Sequence, residues 1–173
     1  MRTTETPEIT RNCEAGTLPE DGIRIFVDAA SRAREQCAGI AVILIDAAGQ
    51  RLLDMFQPID YRDSVAAELA AIEAALDLAE QFQIQGCTIY CDCKFAVDRV
   101  NGTGWGHDLA TEQSRARIQA RLERSPLIRV CYLHRDYNRD ADWLAKLGAK
   151  GLRYWGNPEN TWRVAPPAGQ RTC

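Results

Sequence analysis

The sequence predicts an α/β protein in which a mixed five-stranded sheet, three strands antiparallel and two parallel, carries helices on both faces. Three observations lead to this prediction. Three consecutive strand-like segments open the chain, helical and strand-like segments alternate after them, and residues 64–76 have the clearest helical period, of about 3.6 residues, in the sequence. The connection through that helix should place the fourth strand parallel to the first, in the usual right-handed sense.

The first three strands are predicted to form an antiparallel meander. Ile23–Asp28 alternates and ends at an acid, and Cys37–Ile45 is almost continuously apolar, as in a strand covered on both faces. Asp46–Gly49 has the composition of a turn, after which Gln50–Gln57 returns as the third strand.

The remaining elements follow from apolar runs and helix signals. The helix that begins at Ser64 should end between Gln83 and Gly86, where glycine interrupts the pattern. Asn101-Gly102 ends a short helix, and Asp108 is a candidate N-cap for the next one. The later elements are predicted as strands Cys87–Asp92 and Leu127–Leu133 and helices Lys94–Val100, Leu109–Arg124 and Arg139–Lys150.

Length and composition are typical of one soluble domain with a substantial core. The chain has 173 residues, a net charge of −3 and no apolar run long enough to span a membrane. Residues 1–21 are polar and are predicted to be a disordered leader without a signal-peptide core, which favours a cytoplasmic protein. Residues 22–150 are predicted to form the domain, and residues 151–173 a tail that is partly packed or disordered. We expect a monomer.

Glu68 is unusual because its side chain projects into the apolar face of its helix, between Val65 and Leu69. A carboxylate on the buried side costs several kcal/mol unless a positive group meets it. The helix contains no Lys or Arg to do so. The compensating charge therefore comes from another element, either a basic side chain or a metal ion.

Three further acids are candidates to join Glu68. Asp28 and Asp92 end the two strands predicted to be parallel, so both fall on the sheet edge where open α/β sheets place their sites, although acids at strand ends also form turns. Asp142 shares a helix face with Asn138, four residues earlier. Asp140 lies on the other flank of that helix and competes with Asp142.

Four motifs in this order resemble the ribonuclease H family, type 1 branch. The motifs are Phe26–Ser31, Ala67–Leu69, Tyr90–Cys93 and Asn138–Lys146. The resemblance covers residues 23–150 and is closest to the plant-type and archaeal-type members, which lack a long basic protrusion. It implies a ribonuclease H-like fold for the predicted sheet.

The resemblance also implies an activity and its residues. It assigns Asp28, Glu68, Asp92 and Asp142 as a catalytic quartet that holds two Mg²⁺ or Mn²⁺ ions. Such a site cuts the RNA strand of an RNA–DNA hybrid, and hard Mg²⁺ suits these oxygen ligands. The family often uses a histidine ahead of the fourth acid, for which His134 is the candidate, with a surface histidine of no special role as the alternative.

Two other functions remain open at this point. A 3′–5′ exonuclease of the same fold typically carries an acid two residues after the first Asp, where this chain has Ala30. A non-catalytic relative that binds nucleic acid or a partner protein would be expected to lack one of the four acids, and none is missing. The endonuclease is therefore the main expectation.

The basic helix Leu109–Arg124 and its surroundings are predicted to contact the hybrid. The residues expected to bind nucleic acid are Lys94, Trp105, Arg117, Arg121 and Asn138. Contacts to phosphates would give affinity that depends on salt and not on sequence. The alternative is a solvated helix face whose arginines are balanced by Glu112 and Glu123.

Overall fold

The computed structural model describes residues 22–103 and 108–160, and within them the chain forms one mixed sheet with helices on both faces. The strands are β1 (Ile23–Arg32), β2 (Cys37–Ile45), β3 (Arg51–Ile59), β4 (Cys87–Cys91), β5 (Ile128–Tyr132) and β6 (Tyr154–Gly156). The helices are α1 (Ser64–Gln81), α2 (Lys94–Val100), α3 (Leu109–Arg124) and α4 (Arg139–Ala149), with a 3₁₀ turn at Arg135–Tyr137. The spatial order is β5-β4-β1-β2-β3-β6, with β4 parallel to both β1 and β5 and the other neighbours antiparallel. The predicted fold class is confirmed, with six strands in place of five.

The additional strand, β6, lies in the segment predicted as a tail. It pairs with β3 from Asp54 opposite Gly156 to Phe56 opposite Tyr154. The ring of Tyr154 stacks on that of Phe56 with centroids 6.0 Å apart. Three residues are too few to show a strand period in the sequence, so β6 is recognisable only from its pairing with the edge of β3.

The first strand is longer than predicted. It does not end at Asp28, because every residue as far as Arg32, which pairs with Cys37, stays in register with β2. The parallel ladder with β4, in contrast, stops at Val27 opposite Cys91. Asp28 is thus the first residue of β1 beyond the β4 ladder, and Asp92 is the first residue after β4. The two acids are adjacent because one strand continues where its neighbour stops.

Each face of the sheet has its own hydrophobic core, which lies between the sheet and the helices on that face. The side chains of Ile25 and Val27 pack with α1 and α2, and α3 lies outside α1. Phe26 packs on the opposite face with α4. There α4 lies against the backbone of the sheet, since a Cβ on Gly39 would come within 2.0 Å of the Ala149 nitrogen. This close approach fixes the position of α4, and with it the position of Asp142.

Parts of the predictions fall outside the described residues. These are Trp105, the leader at residues 1–21, and the tail beyond residue 160. Across 22–103 and 108–160, no helix is both long enough and apolar enough to cross a bilayer.

Candidate metal centre

Three of the four predicted acids come together at the edge where β4 ends. Asp28, Glu68 and Asp92 each offer a carboxylate oxygen, and these oxygens all lie within 4.8 Å of one another. Asp28 is 4% exposed and Glu68 is 7% exposed, whereas Asp92 is half-buried. β1, the second turn of α1 and the end of β4 each contribute one of them. We call this group the three-acid cluster.

Burial and mutual repulsion raise the pKa of each carboxyl group in the three-acid cluster. Burial, with the negative charge of Asp92, raises the pKa of Asp28 to about 7, although the Ala29 nitrogen donates to its Oδ1 at 2.8 Å and opposes the shift. Burial raises the pKa of Glu68 well above its usual range, and the charges of Asp28 and Asp92 add to this. The Cys91 thiol donates to Glu68 Oε2 at 3.5 Å.

The pKa of Asp92 is also raised, mainly by burial. A hydrogen bond from Asn138 and the positive charge of Arg135 oppose the increase, as does the charge of His134 when it is protonated. In the described ranges, no Lys or Arg forms an ion pair with Asp28, Glu68 or Asp92. The basic side chain considered for Glu68 is therefore not found there, and the oxygen set suits a hard divalent cation.

Asp142 lies beside the three-acid cluster and is not one of its members. Its carboxylate accepts a hydrogen bond from Lys146 Nζ at 2.5 Å. Its negative charge nevertheless raises the pKa of both Asp28 and Asp92. Asp140, the competing candidate, instead pairs with Arg51 Nη1 at 2.7 Å. Of the two acids in α4, Asp142 is the one that acts on the cluster.

Asn138 supports the site from within the protein. It is 2% exposed, and its Nδ2 donates to the Val27 carbonyl oxygen at 2.9 Å. It also bonds to Asp92, so it links the end of the β4 ladder to the start of α4. None of the described residues donates to its Oδ1. The burial leaves almost no Asn138 surface for a nucleic acid to contact, so its effect on the site is exerted through these bonds.

His134 stands at the exposed border of the site. Its Nδ1 accepts from the Asp136 nitrogen at 3.3 Å, and the rest of the ring faces solvent. The side chain is thus open to solvent, as a proton carrier needs to be, while its Nδ1 lies 3.5 Å from Asp136 Oδ2. The same exposure also fits the alternative of an ordinary surface histidine.

The predicted basic face of α3 is largely used within the protein. Arg117 pairs with Glu73 at 2.9 Å, and Arg121 pairs with Asp77 at 2.8 Å and with Glu80 at 2.9 Å. These acids belong to α1 and are not the Glu112 and Glu123 considered from the sequence. Glu112 pairs with Arg115 instead. The side chain of Arg121 is 16% exposed, so much of this face joins two helices.

Lys94 is the exposed cation nearest in sequence to the three-acid cluster. It follows Asp92 by two residues at the start of α2, and its side chain is 70% exposed. Its Nζ pairs with Asp98 at 2.9 Å. A surface pair of this kind is weak and leaves the ammonium group available to a phosphate.

A family model described as reverse transcriptase-like, which is ribonuclease H-like, matches residues 26–148. The chain belongs to the ribonuclease H family. The match includes all four predicted acids and confirms the resemblance drawn from the sequence motifs. No curated protein matches the sequence significantly.

Solved structures of ribonucleases H share the fold. RNase H1 from the halophilic archaeon Halobacterium salinarum NRC-1 is 22% identical with a TM-score of 0.68, and the match covers 73% of this chain and 96% of that one. LC11-RNase H1, isolated from compost by a metagenomic approach, is 23% identical with a TM-score of 0.68, covering 75% and 96%. The structure of LC11-RNase H1 in complex with RNA/DNA hybrid is 21% identical with a TM-score of 0.67, covering 73% and 96%. At these identities the similarity establishes the fold.

Two contacts of this ribonuclease H family member were not predicted from its sequence. Lys146 follows Asp142 by four residues, a spacing that places the two side chains together on a helix and could have revealed the pair. The contact between Cys91 and Glu68 had no such signal, because it joins a strand to a separate helix.

Proposed function

We propose that this protein is an endoribonuclease that hydrolyses the RNA strand of RNA–DNA hybrids with two Mg²⁺ or Mn²⁺ ions. The observation that carries the proposal is the three-acid cluster: two buried carboxylates and one half-buried carboxylate, without a basic partner in the described ranges, in a chain of the ribonuclease H family. Once its carboxyl groups are ionised, such a site is unfavourable unless a cation enters it. One structural relative, LC11-RNase H1, is known in complex with RNA/DNA hybrid.

Each acid has a role in the proposed site. Asp28, Glu68 and Asp92 would hold one ion, and Asp142 would complete the site for the second. Paired divalent ions supply an activated water and stabilise the leaving oxygen of a phosphodiester. Asn138 keeps Asp92 in place, and the thiol of Cys91 does the same for Glu68.

The exposed His134 is proposed to carry a proton to or from the reacting oxygens. Its position beside Asp92 and its exposure to solvent support this role. The residues would act without a covalent intermediate, since no nucleophilic side chain is needed when water attacks.

Hybrid binding is proposed to depend first on Lys94, with Trp105 and Arg117 as further contacts. Lys94 and Arg117 have exposed side chains. Arg121 and Asn138, also predicted to bind, are held by internal partners and would contribute by supporting the surface. Recognition should follow the minor-groove shape and 2′-hydroxyl groups of the hybrid and not its base sequence.

Incubation with a labelled hybrid and Mg²⁺ tests the proposal directly. We expect internal cleavage of the RNA strand by the wild-type protein and its loss in Asp28→Asn and Glu68→Gln. Asp77→Asn is the matched control, because it removes an exposed carboxylate about 13 Å further along α1 and leaves Arg121 paired with Glu80. Absence of cleavage by the wild-type protein, or full activity in Asp28→Asn, would show that the proposal is wrong.

A hybrid with blocked ends separates the proposed reaction from the alternatives. An endonuclease cuts it internally, whereas a 3′–5′ exonuclease does not. The residue two after Asp28 is Ala30, which lacks the acid expected of such an exonuclease. A non-catalytic binder would retain the hybrid uncut and would show no acid-dependent Mg²⁺ binding by calorimetry.

A further inference from the structure

The contact between Lys146 and Asp142 bears directly on how a second ion enters the site. Lys146 Nζ lies 2.5 Å from Asp142 Oδ2, one helical turn away in α4. The side chains of both residues are about half exposed. The other three acids lie within 4.8 Å of one another, and Asp142 is not in that group. The fourth acid thus has a different partner from the other three.

The ion pair between Lys146 and Asp142 is favoured by its position in α4. An acid four residues before a lysine is the better orientation of an ion pair on a helix. Lys146 also lies in the last turn of α4, where a cation interacts well with the helix dipole. Lysine carries a compact charge with three donors, and its ammonium group occupies Oδ2 of Asp142, one of the two oxygens that a metal ion could use.

Lys146 and a divalent ion would compete for the carboxylate of Asp142. Asp142 lies one helical turn after Asn138, whose Nδ2 donates to the carbonyl of Val27 beside Asp28, so α4 brings Asp142 to the sheet edge that holds the three-acid cluster, where several carboxylates together attract a cation. Lys146 is the cation that pairs with Asp142 among the described residues. A divalent ion that uses Asp142 as a ligand must therefore replace this ammonium group or share the carboxylate with it.

We propose that Lys146 is a positioning residue that holds Asp142 outside the three-acid cluster and thereby weakens binding of the second metal ion relative to the first. This proposal rests on the proposed two-ion function and adds a regulatory part to it. It predicts that metal binding changes in a defined way when the ammonium group is removed and the rest of α4 is kept.

Titration calorimetry with Mn²⁺ on the full chain tests the proposal. In Lys146→Met, which keeps an unbranched apolar stem, we expect the weaker of two Mn²⁺ ions to bind about two- to fivefold more tightly, the range that corresponds to the strength of exposed ion pairs. The first ion should bind as in the wild-type protein. Lys146→Arg, which keeps the charge, should restore wild-type binding.

Lys150→Met is the matched control for the loss of one positive charge. Lys150 lies in the same region but about 12 Å from Asp142 along the helix axis, beyond the range of unscreened interactions at physiological salt. It should therefore bind Mn²⁺ as the wild-type protein does. If Lys150→Met and Lys146→Met change the second affinity equally, a general charge effect explains the result and the proposal is overturned.

A double substitution isolates the contact itself. In an Asp142→Asn background, Lys146→Met should have no further effect on Mn²⁺ binding, because the partner it restrains is absent. Weaker second-ion binding in the single variant Lys146→Met would also overturn the proposal, since it would mean that Lys146 helps Asp142 to reach the ion.

The cleavage assay gives a second readout. The Mg²⁺ concentration for half-maximal cleavage should fall in Lys146→Met by a factor similar to the calorimetric one. If the wild-type protein cleaves the hybrid, and Lys146→Met and the wild type give identical Mn²⁺ isotherms, only the role of Lys146 is overturned. If the wild-type protein neither binds Mn²⁺ nor cleaves the hybrid, the proposed function fails and this inference fails with it.

Discussion

Replacing Asp28 by Asn should stabilise the metal-free protein at neutral and alkaline pH. The pKa of Asp28 is raised to about 7 in the folded protein, mainly by burial. Because the folded state then holds its proton more tightly than the unfolded state does, the contribution of Asp28 to stability is full at low pH and is lost as the pH rises towards 7. Asn at this position keeps an oxygen to accept from the Ala29 nitrogen and never ionises.

The size of the effect follows from how far the assay pH lies above the unfolded-state pKa of Asp28, about 4, and it reaches its limit at the raised pKa. Between about pH 5 and about pH 7 the wild-type protein should lose up to about 3 kcal/mol relative to Asp28→Asn, at about 1.4 kcal/mol per pH unit. Above about pH 7 the difference should level off, because Asp28 is then ionised in both states. The free energy of unfolding is measured by urea denaturation in the presence of EDTA at several pH values.

A control variant and the addition of Mg²⁺ test this explanation further. Asp77→Asn, which removes an exposed acid of α1, should lack the gain in stability expected for Asp28→Asn, because water already solvates the Asp77 carboxylate. Addition of Mg²⁺ near pH 8 should raise the unfolding free energy of the wild-type protein and leave Asp28→Asn almost unchanged, because a ligand stabilises the state that binds it. If wild type and Asp28→Asn had parallel pH dependences in EDTA, the explanation based on a repelled, buried carboxylate would be wrong.

Four further results are expected from the same structure. Mn²⁺ affinity measured by calorimetry should fall below about pH 7, by about tenfold per pH unit for each proton that the ion must displace from Asp28 and its neighbours. Gly39→Ala should lower the free energy of unfolding by about 1–3 kcal/mol or more in urea denaturation, because its Cβ would collide with the backbone of α4. Asn138→Ala should cost about 1–3 kcal/mol of stability and also reduce Mn²⁺ affinity, since it removes the bonds to Val27 and Asp92. Arg121→Ala should lower the melting temperature with little change in hybrid affinity, whereas Lys94→Ala should weaken hybrid binding and flatten its salt dependence in filter-binding assays.

Much of the fold could be predicted because the local patterns agree with the tertiary structure. The near-continuous apolar run of β2 and the strong period of α1 gave bounds close to those observed. The prediction that β1 ends at Asp28 was wrong for a physical reason. Asp28 is a common turn former, but pairing with β2 keeps the chain extended as far as Arg32. Local composition does not report the support that a neighbouring strand provides.

The sequence indicated which acidic side chains come together at the site. It indicated less well which residues pair with the side chains around them. Glu68 was identifiable because an acid in an apolar helix face needs compensation, and Asp28 and Asp92 because parallel strands share an edge. The pairing of Arg121 with acids of α1 depends on how two helices pack, which a single sequence does not show. The contact between Asp142 and Lys146 was visible as a helical spacing, but its meaning depends on where Asp142 stands relative to the other acids.

The short strand β6 has a practical consequence for recombinant expression. It occupies the outer edge of β3, whose backbone donors and acceptors would otherwise face solvent. An open strand edge is a template for pairing between molecules and promotes aggregation. A shortened protein that stops at the end of α4 would retain every acid of the site and yet expose this edge, so soluble variants should extend beyond Gly156.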